Sequence, residues 1–151
     1  MDWSIFPFWF VYIVSLALFV GKIAVFSFLI APLIHSQLEK EAATKVLRVF
    51  FPRYYKLGIG CALVALLGIL ALTFQSSLPR IKFWSLLWAW ILVSEVFSLN
   101  FLVPTLEATR QARATGEPEA TRKWENAHKL SVRLNGFNLL LGLILLAWYV
   151  G

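Results

Sequence analysis

The chain has 151 residues, 60% of them hydrophobic, and a formal net charge of +6. With a mean hydropathy of +0.74, it has too little polar surface to cover an ordinary soluble domain. Cys61 is the only cysteine, which excludes an internal disulfide, and the basic residues fall into separate loop clusters, which argues against nucleic acid as a partner.

A spanning helix needs about 20 mostly apolar residues. Four stretches supply them, at about 5–33, 55–74, 83–103 and 130–150. The N-terminal MDWSIFPFWF has an acid and no base ahead of its apolar run, unlike a cleavable signal peptide, so the first helix is expected to be retained. Its aromatic residues Trp3, Phe6, Phe8, Trp9 and Tyr12 suit the outer headgroup level. Ala17 and Gly21 form a small-x-x-x-small pair that would admit a neighbouring backbone. Lys22 sits deep in the run, and Pro32 is expected to bend or end its membrane part.

After His35 comes Ser36-Gln37-Leu38-Glu39, with the S-x-x-E spacing of a capping box, which predicts a new helix from Ser36. With an apolar side of Leu38, Ala42, Ala43, Val46, Leu47 and Phe50, it reads as a short amphipathic helix at the inner interface, closed by Pro52. Tyr54 and Tyr55 mark re-entry. The second span carries Gly58, Cys61, Ala65 and Gly68 at steps of three and four, a seam for close packing. Cys61 reads as a packing residue, with no base or second cysteine near it in sequence. The short turn Gln75–Arg80 makes the second and third spans antiparallel neighbours.

The third span opens on Phe83, Trp84, Trp88 and Trp90 and holds Glu95 at its middle, with Ser98 and Asn100 beyond. Pro104 is expected to kink its inner end. Thr105–Ala114 continues in helix formers, and Thr115-Gly116-Glu117-Pro118 reads as a helix stop followed by a start. Glu119–Lys129 is again helix-friendly, which predicts a helical hairpin continuous with the third and fourth spans. In the last helix His128, Ser131, Asn135, Asn138 and Gly142 form one stripe. Hydrocarbon tolerates two asparagines on one stripe only where it faces other helices or water.

Lys40, Lys45, Arg48, Arg53 and Lys56 lie between the first two spans, and Arg110, Arg113, Arg122, Lys123 and Lys129 between the last two. The positive-inside rule then places both loops in the cytoplasm and both termini on the non-cytoplasmic side. Lys22 lies ten residues before Pro32, and Glu95 nine before Pro104. Both helices run inward, so the two charges fall at nearly one level, and an unpaired charge there costs at least about 2.5–3.5 kcal/mol. Lys22, Glu95, Ser98, Asn100, Asn135 and Asn138 are therefore expected to form one polar cluster. It serves either as a site for a small solute, ion or proton, or as a pair that fixes helix register.

The expected architecture is an all-α integral membrane four-helix bundle forming a single domain over residues 1–151. It carries a short interfacial helix and a cytoplasmic helical hairpin. The expected function is a non-enzymatic binding or transport component for small molecules or ions, without a cofactor. Its partners are the lipid bilayer and either further copies of itself or a larger membrane complex. No nucleophile–base arrangement, paired carboxylates, phosphate loop or zinc spacing appears. His35 and His128 fall near the cytoplasmic border and read as interfacial, although two histidines also suit haem iron or copper. A haem- or metal-binding redox protein is thus the alternative, and an accessory subunit with a Trp-rich lipid face is another.

The runs KIAVFSFLIAPLIHSQL, FPRYYKLGIGCALVALLGIL, LNFLVPTLEATR and KWENAHKLSVRLNGFNL together resemble the transmembrane protein 205-like family, a domain family of unclear function. The resemblance covers most of the chain and implies a four-helix membrane protein associated with tolerance to toxic compounds, with no established reaction. The layout is also distantly similar to CopD-like copper proteins and HemJ-type haem-binding membrane oxidases. Those families use a histidine within the first membrane helix, and residues 10–18 here contain none.

Overall fold

The computed structural model describes residues 6–75 and 79–150; Trp3 and positions 76–78 of the 75–80 turn lie outside them. Every element among the described residues is helical. Helix α1 (Phe6–Val25) runs through a π turn at Phe26–Ile30 into α2 (Ala31–Gln37). Helix α3 spans Lys40–Gln75. Helix α4 (Pro79–Phe97) runs through a second π turn at Ser98–Leu102 into α5 (Val103–Ala114), and α6 spans Pro118–Val150. Four of the resulting helical rods are long and apolar enough to cross a membrane: Phe6–Gln37, Lys40–Leu72, Lys82–Ala114 and Pro118–Trp148.

The two π turns occupy equivalent places. Each begins three or four residues after an intramembrane charge and ends two residues before a proline. A proline cannot donate to the carbonyl four residues back, and a locally wider hydrogen-bond register lets the helix continue past it. The Ala31 and Val103 amides accordingly bond the Phe26 and Ser98 carbonyls, five residues back.

This continuation corrects the expected interfacial helix. Pro32 sits in the first turn of α2, where its missing amide costs little, so helical structure persists through Ser36. The Ser36 hydroxyl donates to the Leu33 carbonyl at 3.3 Å instead of capping a new helix. The break comes at Leu38, which is extended (φ −111°, ψ 139°). The Glu39 carbonyl then accepts the Ala43 amide at 2.8 Å. From Lys40 the helix passes through Pro52 without stopping, so the amphipathic segment is the first part of α3 and not a separate element.

The predicted hairpin is present. Its turn is closed by the Gly116 amide on the Arg113 carbonyl and the Glu117 amide on the Ala112 carbonyl, both at 3.1 Å. That pair of bonds requires a left-handed residue, and Gly116 supplies φ +85°.

The four rods form a ring in which α1 packs on α3, α3 on α4, and α6 closes against both α1 and α4. On α1, Tyr12, Leu16, Phe19 and Ile23 point inward, at helical steps of three and four. They meet Ala62, Ala65 and Ile69 of α3, Trp88 and Ile91 of α4, and Leu145 of α6. Near the termini Tyr12 stacks on Trp84 and meets Trp88 edge-on. The small-residue seam of α3 is used along its length: Cys61 and Ala65 are buried, and Gly68 lies 3.5 Å from the Phe8 carbonyl by its missing Cβ. The Ala17/Gly21 pair is not used, since Ala17 is exposed and Gly21 has open space beside it. The outward faces carry Phe10, Phe28, Leu67, Leu86, Val93 and Phe101, the inverse of a soluble protein and the composition a lipid-facing surface requires.

Candidate functional site

At the centre of the bundle the Lys22 ammonium lies 2.6 Å from Glu95 Oε2, with side-chain exposures of 4% and 1%. The two charges come from α1 and α4, which flank α3 on opposite sides. Gly58 of α3 makes their meeting possible. A Cβ there would fall onto Glu95 Oε2 and Lys22 Nζ, so the absent side chain is the space in which the ion pair sits. The ammonium is further held over the Tyr54 ring, 4.0 Å from its centroid, with the Phe19 ring at 4.9 Å.

The other carboxylate oxygen, Oε1, accepts a long hydrogen bond from Asn138 Nδ2 at 3.4 Å. The same amide nitrogen donates to Ser94 Oγ at 2.8 Å, and Ser94 donates to the Ile91 carbonyl. Asn138 Oδ1 is buried without a hydrogen-bond partner among the described residues. An acceptor in that position, beside a carboxylate and in low dielectric, is suited to a cation or a hydrogen-bond donor.

A second network lies next to the first. The Tyr54 hydroxyl donates to Asn135 Oδ1 at 2.8 Å. Asn135 Nδ2 donates to the Tyr55 hydroxyl at 3.1 Å and to the Ser131 carbonyl at 3.0 Å, and Tyr55 shares a 2.9 Å bond with Ser131 Oγ. From Ser131 onward the polar stripe of α6 faces other helices, while His128 at its start is exposed. Ser131 and Asn135 meet α3, Asn138 meets α4, and Gly142 meets α1 so closely that a Cβ would lie 2.7 Å from Val20 Cγ2.

Of the six residues expected in the cluster, Lys22, Glu95 and Asn138 touch directly. Asn135 joins through Tyr54, and Ser98 is buried beside the Tyr55 hydroxyl. Asn100 does not take part. Five residues beyond Glu95 it lies on another face of the helix, where it is exposed and donates to the Val96 carbonyl at 2.8 Å. Sequence reasoning missed Tyr54, Tyr55, Ser94 and the specific role of Gly58. The signal for the tyrosines was their spacing of three and four residues from Gly58, which puts all three on one face.

His35 and His128 line a different feature, a cavity of about 420 Å³ at the end of the bundle that carries the basic loops. Its walls come from the first π turn, α2, α3, α5 and α6. Among the described residues no group of three or more histidine, cysteine or carboxylate side chains is arranged to hold a metal ion.

The model of one protein family, described as a domain of unknown function (DUF4149), matches residues 14–115. The match takes in Lys22, Gly58 and Glu95 and ends at the hairpin, before the asparagines of α6. It adds no support for the narrower resemblance to transmembrane protein 205-like or CopD-like proteins. No curated protein and no solved structure matches the chain.

Proposed function

We infer the function from the site, since the chain belongs to the family described as a domain of unknown function (DUF4149). The protein is a non-enzymatic multi-pass membrane component that binds a small cation or amine-bearing molecule at the Lys22–Glu95–Asn138 core. The observation that carries this reading is the unpartnered Oδ1 of Asn138, whose amide nitrogen reaches the carboxylate paired with Lys22. A competing cation takes Glu95 from Lys22, and the Asn138 amide, whose nitrogen now faces Glu95, turns to offer its free oxygen as a second ligand. The released ammonium keeps the face of Tyr54.

Both termini lie on the non-cytoplasmic side in this reading, supported by the basic residues gathered at the opposite end. A ring of four helices is small for a conduit, so transport goes with a homo-oligomer or a larger membrane complex. The test is uptake and binding of sodium, potassium and a series of organic amines by protein reconstituted in phosphatidylcholine vesicles. Glu95→Gln and Asn138→Leu are expected to abolish ligand-dependent protection against heat and any uptake above protein-free vesicles. If no cation or amine protects the native protein, or if both variants respond as it does, the reading is wrong.

A second reading, a register device and nothing more, is favoured by the tight seat of the pair against Gly58. It predicts that replacing the pair by apolar residues keeps every ligand response of the native protein. A haem or metal role for His35 and His128 has only their shared cavity in its favour. A visible absorbance band or stoichiometric metal in the purified protein would restore it.

A further inference from the structure

The cavity at the basic end is separate from the ion-pair core, and its lining is divided by chemistry. The half-buried part of the lining is apolar, built by Phe26, Leu47, Phe51, Val103 and Leu106, with the exposed Val132 at its edge. The mouth carries Arg48, Arg110, His35 and His128, with one acid, Glu107. Glu107 stands between two guanidiniums, 2.6 Å from Arg48 and 3.4 Å from Arg110. One carboxylate facing two fixed cations leaves a net positive charge at the mouth. Arg110 is the less committed of the two. Its bond to Glu107 is long, and its other contact is a 3.4 Å bond to the Thr44 carbonyl.

Trp124 forms one side of the mouth and contacts two neighbours. The Arg113 guanidinium lies 3.8 Å from its ring centroid and the His128 ring stacks on it at 4.9 Å. Arg113 adds a third positive charge next to the cavity. At about 420 Å³ the cavity lies within the range of small-molecule sites, roughly 300–1,000 Å³, where an apolar lining gives affinity and a few polar groups fix orientation. Its position matters as well, because it sits where the apolar spans give way to charged helix ends. A ligand there has its apolar part at hydrocarbon level and its charge at headgroup level.

We propose that this vestibule binds one amphiphilic anion. Its carboxylate or phosphate is received by Arg110, with Arg48 and the histidines beside it, and its apolar body lies against Phe26, Phe51, Val103 and Val132. A neutral amphiphile leaves the excess positive charge at the mouth unmatched, and an inorganic anion leaves the apolar wall unused. The shared chemistry is an anion on an apolar body, whether it comes from the bilayer as an acidic phospholipid or from solution as a fatty acid.

Native mass spectrometry of the full-length protein in mild detergent separates these sources. The probes are oleate, dioleoyl phosphatidylglycerol, their uncharged or zwitterionic counterparts methyl oleate and dioleoyl phosphatidylcholine, and inorganic phosphate. The expected result is one retained equivalent of oleate or phosphatidylglycerol and little of the others. Retention of phosphatidylglycerol identifies a bilayer lipid, and retention of oleate alone identifies a single-chain anion. Arg110→Gln is expected to weaken retention about tenfold, the loss of one charge-assisted contact. Leu106→Trp, which fills the cavity from its apolar side, should abolish it. Should either variant fail to fold, Arg48→Gln and Val132→Trp probe the same two halves. Equal retention of methyl oleate or phosphatidylcholine, inorganic phosphate bound as tightly as the amphiphiles, no retained equivalent of either anionic amphiphile, or folded variants that retain the anion like the native protein would each overturn the proposal.

Discussion

Lys22 and Glu95 illustrate why some residues of a membrane protein declare themselves in sequence. In hydrocarbon an ionised side chain needs a partner, and these two stand at matching distances from Pro32 and Pro104. Their pairing at 2.6 Å is the geometry in which removing one member costs more than removing both, because the survivor remains as an uncompensated buried charge. Lys22→Met or Glu95→Leu alone is expected to destabilise the bundle by about 3–5 kcal/mol, and the Lys22→Met/Glu95→Leu double variant by much less. Thermal unfolding in mild detergent, run as a double-mutant cycle, checks this. Additive single effects would mean that the pair is not coupled. Gly58→Ala is expected to cost about 1–3 kcal/mol through overpacking, read as a lowered melting temperature, because its Cβ enters the space of both charged groups. Tyr54, Tyr55 and Ser94 were not legible in the same way. A tyrosine at the start of a span reads equally well as an interfacial anchor, and a serine in a helix is satisfied by its own backbone. Only the observed bonds to Asn135, Ser131 and Asn138 set them apart.

Among the elements, the four spans could be read from length and hydropathy alone, because hydrocarbon forces the backbone into helices. The hairpin could be read from Gly116 and Pro118, whose backbone preferences have few alternatives. Gly116→Ala must hold an L residue at φ +85° and is expected to cost about 1–2 kcal/mol. Gly116→Asn should cost less, since asparagine tolerates that region; equal melting temperatures for the two variants would argue that the turn relaxes. The capping-box spacing at Ser36 starts no helix because the π turn ahead of Pro32 carries helical structure past it. A π turn is a one-residue change of hydrogen-bond register, and the proline that follows it marks a kink or a helix end equally well.

For the whole molecule, the order of the ring was only partly legible. The short connection predicted α3 beside α4, but the contact of α6 with α1 follows from side-chain fit, such as Gly142 against Val20, and no local pattern encodes it. Orientation in the membrane rests on the distribution of arginine and lysine. A single cysteine introduced at Gly116 in a Cys61→Ser background is expected to react with an impermeant thiol reagent only after the cytoplasmic face is opened. Labelling from outside intact cells would invert the topology.

The pairing of Lys22 with Glu95 also carries a consequence for biogenesis. The acid follows the base by 73 residues, and at about 5–20 residues per second a ribosome needs roughly 4 to 15 s to span that interval. Throughout it the first helix exists with its ammonium and without its counter-charge. Its insertion then lacks at least about 2.5–3.5 kcal/mol of the stabilisation that the finished bundle provides. Until α4 is made, the apolar remainder of the first helix carries that penalty alone. The ion pair itself is thus a late contact of synthesis, formed only once the third span exists.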